Sequence, residues 1–81
     1  MKRLEPETID YYNTEVIKMI SEKYGMMSMD ALRAFVFSRT HEMLENAELG
    51  MTDFGAEALF DIWECEKVTG DPRNSIYIRG E

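Results

Sequence analysis

Between residues 40 and 66 the chain has neither lysine nor arginine. The same stretch holds eight carboxylates, Glu42, Glu45, Glu48, Asp53, Glu57, Asp61, Glu64 and Glu66. The rest of the chain carries eight acids against all nine bases, so the formal charge of −7 resides in one third of the 81 residues. A field of one sign repels polyanions, favours solubility and attracts a basic surface. The missing bases also argue against nucleic-acid binding, because phosphates would meet no neutralising cations. Two adjoining short helices at 29–48 have the outline of a helix-turn-helix. The second, however, carries Glu42, Glu45 and Glu48 where a recognition helix needs Arg, Lys, Asn or Gln.

Cysteine is nearly absent. Cys65 stands alone, which rules out an intramolecular disulfide and points to a reducing, cytoplasmic setting. Long apolar runs are also missing, so no membrane span is expected. The basic start Met1-Lys2-Arg3 has no apolar segment behind it and does not resemble a signal peptide. There is no repeat, linker or low-complexity segment. A chain of this length predicts one domain, 1–81, burying roughly 60% of its extended surface. The 44% hydrophobic and 11% aromatic content suffices for a core and excludes the disordered class.

The apolar residues that are present recur at helical spacing. Ile9, Tyr12, Val16, Ile20 and Tyr24, joined by Ile17, predict an amphipathic helix over 7–24, started by Pro6 and closed by Gly25. Ser28 offers an N-cap for a helix over 29–37 whose inward residues are Ala31, Leu32, Phe35 and Val36. Ser38 or Thr40 would cap a helix over 40–48 that buries Met43, Leu44 and Ala47, although one bent helix over 29–48 is equally compatible. Thr52 or Asp53 would cap the last helix, 54–68, with Ala58, Leu59, Ile62 and Trp63 inside and Gly70 after it. Asp53, Glu57, Asp61 and Glu64 fall on its opposite side. Residues 75–79 read as a short extended tail after the turn Asp71-Pro72-Arg73-Asn74. The expected fold is mainly α, a bundle of three to four helices with an extended or β-like C-terminal tail.

The acidic set admits three uses. It is a solvated face, a docking surface for a basic protein, or a cation site. Carboxylates strung along helices do not converge as a calcium loop does, which disfavours the last. An ordinary solvated face mixes signs in pairs one turn apart, and this one does not. The candidate contact residues are therefore Glu42, Glu45, Glu48, Asp53, Glu57, Asp61 and Glu64 for steering, with Met51, Phe54 and Phe60 supplying apolar contact. An acidic protein could also imitate DNA and block a DNA-binding protein. Phe37, Phe54, Phe60 and Tyr11 sit off the main apolar faces and suggest a second apolar surface, hence a homodimer or a protein partner. The methionines, with Met26, Met27 and Met29 clustered in one turn, suit core filling or an adaptable groove.

The remaining chemistry is sparse. His41 with Glu42 and Glu45 could form a metal or acid–base site, yet no second His or Cys supports zinc. Ser38 and His41 share a helical side but lack an orienting acid and an oxyanion hole. Cys65 lies between Glu64 and Glu66, the wrong environment for a thiolate nucleophile. Glu66 points toward the apolar side, where it either reaches out to water or forms a structural ion pair with Arg33, Arg39 or Arg73, the ion pair being favoured. No catalytic residue, metal ligand or cofactor motif is assigned.

Three segments carry a family resemblance: Met29-Asp30-Ala31-Leu32-Arg33-Ala34-Phe35, Ser38-Arg39-Thr40-His41-Glu42-Met43-Leu44 and Ala58-Leu59-Phe60-Asp61-Ile62-Trp63-Glu64. Over residues 9–80 the chain resembles short uncharacterised bacterial helical proteins, some of them small partners in toxin–antitoxin-like gene pairs. The resemblance implies a small bacterial cytoplasmic protein that binds and restrains a larger one, with no active-site residues to carry over. The separate DNA-binding half of many antitoxins is missing, which argues against autoregulation.

Overall fold

The computed structural model describes residues 4–75 and Ile78. Helix α1 is Pro6–Tyr24, α2 Ser28–Val36, α3 Arg39–Glu45 and α4 Gly55–Thr69. Short 3-10 turns at Ala47–Leu49, Met51–Phe54 and Pro72–Asn74 fill the connections. The fold measures 32 × 30 × 18 Å, and the thin dimension is that of two helix layers.

Helix α1 is started and stopped by its sequence. Pro6 occupies the first turn of α1, where its missing N–H costs nothing, Glu7 faces the positive end, and Lys23 the negative end. Gly25 takes φ 64°, the left-handed conformation that ends the helix without a Cβ clash. Val16 and Ile20, one turn apart, are fully buried against Ala31 and Phe35 of α2 and Leu59, Ile62 and Trp63 of α4. Leu44 of α3 and Met51 complete the core. The Trp63 indole N–H donates to the Ala34 carbonyl at 3.2 Å, tying α4 to α2. The Tyr12 hydroxyl donates to the Thr52 carbonyl at 3.0 Å, tying α1 to the turn before α4.

Residues 29–48 form two helices, separated at Phe37 and Ser38. Ser38 performs the predicted capping: its Oγ accepts the His41 N–H at 3.1 Å and donates to the Phe35 carbonyl at 2.6 Å. Helix α3 ends at Glu45, earlier than expected, because Asn46 becomes extended and its side chain caps the next turn through the Glu48 N–H. Two predicted caps are not used. Ser28 is the first helical residue of α2, and the N-cap is Met27, without a side-chain bond. Thr52 and Asp53 lie inside the 3-10 turn that precedes α4. There Gly55 adopts φ 81° and ψ 168°, a region open to glycine alone.

Tyr24, expected inside, is 50% exposed, because it is the last residue of α1 and reaches past the core edge. No strand occurs among the described residues. Of the tail predicted at 75–79, residues 76, 77 and 79 lie outside the described ones. Ser75 is buried and its backbone is extended, and the Ile78 N–H donates to its carbonyl at 3.1 Å. No helix among the described residues is long and apolar enough to cross a membrane.

Candidate functional site

Folding divides the eight carboxylates of residues 40–66 between structural and exposed positions. Glu66 is the most committed. It projects from α4 to the start of α3, where its Oε2 accepts the Arg39 backbone N–H at 3.0 Å. Its Oε1 accepts the Thr40 N–H at 2.9 Å and the Thr40 hydroxyl at 2.8 Å. Where an ion pair with an arginine side chain was expected, Glu66 takes backbone and hydroxyl donors, and the carboxylate serves as a capping group supplied from another helix. No local sequence signal places residue 66 over residue 40.

Glu64 is half-buried and receives the Lys23 ammonium at 2.6 Å and the Tyr24 hydroxyl. Burial alone would raise its pKa. The two hydrogen bonds and the Lys23 charge outweigh that, and the net shift is downward. Lys23 and Tyr24 are both shifted up by Glu64, chiefly through those bonds. Lys23 Nζ also lies 5.5 Å from the Phe60 ring centroid, and Phe60 stacks on Trp63. A base absent from the acidic window is thus delivered to it by α1.

Glu45 stands beside His41, which is almost fully buried on α3. The His41 Nε2 lies 2.9 Å from Asn13 Oδ1 on α1, so Nε2 carries the proton and donates. Its ring meets Phe35 edge-on at 5.2 Å. Nδ1 is 3.2 Å from Glu45 Oε1 and lacks an aligned hydrogen bond. Burial lowers the imidazole pKa, and the nearby Glu45 charge only partly opposes it. His41 is therefore a neutral clasp between α1 and α3. The Ser38 hydroxyl is engaged with backbone groups, and the imidazole addresses Asn13, so the two do not form a nucleophile and base.

A cleft of 720 Å³ brings Glu42 and Glu45 together with Asp71, Arg39 and Arg73 over Met43, Leu49 and Pro72. Arg73 is held by a fork of bonds to Asp71, whose pKa those bonds depress to about 2. The acids of α3 thus face a cleft of mixed sign, and the acidic window is not one continuous acidic face. Among the described residues no group of three His, Cys, Asp or Glu converges.

Glu42, Glu48, Asp53, Glu57 and Asp61 are exposed. Asp53, Glu57 and Asp61 follow one another at four-residue steps along the outer side of α4 and its preceding turn. Phe54 is 36% exposed among them, and Phe60 is half-buried. Met51, expected to offer apolar contact, is 3% exposed and belongs to the core, because the 3-10 turn points it inward. Phe37 was rightly singled out as lying off the core, at 85% exposed. Cys65 is half-buried, and the Thr69 hydroxyl beside it donates to the Cys65 carbonyl at 2.8 Å. No protein-family model, curated protein or solved structure matches this chain.

Proposed function

We propose that this protein is a small, non-enzymatic interaction domain that docks on a basic protein through the outer side of α4. The carrying observation is the exposed row Asp53, Glu57 and Asp61 with Phe54 at its side. The carboxylates steer an oppositely charged surface into contact, and the aromatic ring supplies apolar area where they meet. Glu42 and Glu48 extend the negative field, whereas Glu45, Glu64 and Glu66 serve the fold. The lone thiol suits a reducing cytoplasm. The resemblance to small bacterial toxin partners favours the restraint of a larger basic protein, in the manner of an antitoxin or inhibitor.

The test is charge reversal at two exposed members of the row. Asp53→Lys with Glu57→Lys should abolish salt-sensitive capture of a basic protein and leave the helical spectrum unchanged. Capture that survives the reversal, or that is insensitive to salt, overturns the reading.

A further inference from the structure

Three helices of this fold pack on one another without α3. Val16 and Ile20 of α1, Ala31 and Phe35 of α2, and Leu59, Ile62 and Trp63 of α4 form one buried cluster, and Trp63 is tied to the Ala34 carbonyl. Helix α3 adds one buried apolar side chain, Leu44. It is seven residues long and lies between two chain breaks, Phe37 with Ser38 before it and Gly50 at φ 66° after it. A helix of that length does not hold itself. Segments that bury little apolar surface open at a smaller free-energy cost than the whole domain.

The remaining tethers of α3 are polar. His41, 5% exposed, donates from Nε2 to Asn13 Oδ1 of α1 at 2.9 Å, and α2 offers the ring the edge of Phe35. Helix α4 directs Glu66 at the Arg39 and Thr40 N–H groups. Nδ1 is buried without a bonded partner, 3.2 Å from Glu45 Oε1. Glu45 is the charged group that acts on the ring, and its side chain is 34% exposed. A second proton on the imidazole therefore meets one partly solvated counter-charge, and burial prevails. Once α3 lifts away, the hydrated ring takes the proton at its ordinary value.

We propose that α3 is an acid-released segment: protonation of His41 favours detachment of residues 38–49 from α1, uncovering Phe35 and Leu44, while α1, α2 and α4 stay packed. The open form binds the proton more tightly. Its opening constant therefore rises as pH falls from about 6.5 to the folded pKa, by up to about tenfold per pH unit, and levels off below.

Native-state hydrogen exchange on the full chain between about pH 7.5 and 5, corrected for the intrinsic pH dependence of exchange, tests this. The Thr40, His41 and Glu42 amides should open at a smaller free energy than those of Ile20 and Ile62, and their opening constants should grow on acidification. The growth should level off at the titration midpoint of the His41 ring, read by NMR. His41→Gln, which takes no proton in this range, should keep the helical spectrum and abolish the growth. Equal opening free energies for α3 and the core overturn the proposal, because α3 then opens only when the whole domain unfolds. So does an opening constant that ignores pH, a plateau away from the His41 midpoint, or equal growth in His41→Gln.

Discussion

Glu66 and Thr40 are 26 residues apart, yet one carboxylate oxygen of Glu66 accepts both the backbone N–H and the hydroxyl of Thr40. With the Arg39 N–H on the other oxygen, two orphan donors of α3 are satisfied by α4. Ser38 takes the His41 N–H, so the first turn of this seven-residue helix is capped from two sides. A helix this short has little stability of its own, and α3 depends on these caps and on Leu44.

Glu66→Ala should therefore cost about 2 kcal/mol, the range of bonds to a charged acceptor at a helix start. In a domain of this size that is a fall in melting temperature of about 8–16 °C. Glu66→Gln keeps one acceptor oxygen and should recover part of the loss. Equilibrium urea unfolding of both variants decides it, and a wild-type midpoint for Glu66→Ala would refute the capping role.

His41 makes stability pH-dependent. Its folded pKa lies below the ordinary value of 6.5 because it is buried, so the unfolded chain binds the proton more readily. The His41 contribution is complete above about pH 6.5 and is lost as pH falls through the folded pKa. Unfolding free energies between about pH 5 and 8 should show this slope, and His41→Gln should flatten it. Glu45→Gln removes the charge that partly holds the pKa up, so the folded midpoint should move lower still. With one histidine in the chain, its ring signals in a proton NMR titration report this without assignment.

Glu57 and Asp61 are like charges one turn apart on α4. Glu57→Lys trades this mild repulsion for an attraction but loses an acid from the positive end of α4, so the two effects nearly cancel and stability should change by less than about 0.5 kcal/mol at low salt. Glu64→Lys should lower stability clearly, since it opposes Lys23 and removes the acceptor of Tyr24. Thermal melts in low and high salt separate the two, and similar responses would contradict the division of the acids into exposed and structural groups.

Gly25 and Gly55 both have open space where a Cβ would stand, so alanine there reports backbone conformation alone. Gly25 is left-handed, at a cost to alanine of about 1 kcal/mol. Gly55, at φ 81° and ψ 168°, lies where non-glycine residues are nearly absent, and alanine should cost up to about 3 kcal/mol. Denaturation midpoints should rank wild type, Gly25→Ala, then Gly55→Ala.

Much of this was legible in the chain itself. The spacing of Val16 with Ile20, and of Ala58, Leu59, Ile62 and Trp63, announced helices and their buried faces, because an amphipathic period is a local property of the backbone. Gly25 and Gly70 marked helix ends for the same reason, and Ser38 a helix start. Reading residues 40–66 as one unpaired acidic surface went too far. Lys23, Arg39 and Arg73 lie outside that window in sequence, but Lys23 reaches Glu64, and both arginines line the cleft of Glu42 and Glu45.

The sequence by itself determined the helical class, the helix ends set by glycine and Ser38, most of the core and the sign of the charge, all of which depend on neighbours within one or two turns. Only the tertiary structure decided which carboxylates are occupied. It put Glu66 over Thr40, Lys23 against Glu64 and His41 between Asn13 and Glu45, because the partners of a charge are chosen by distance in space, and distance in space is set by how the helices pack.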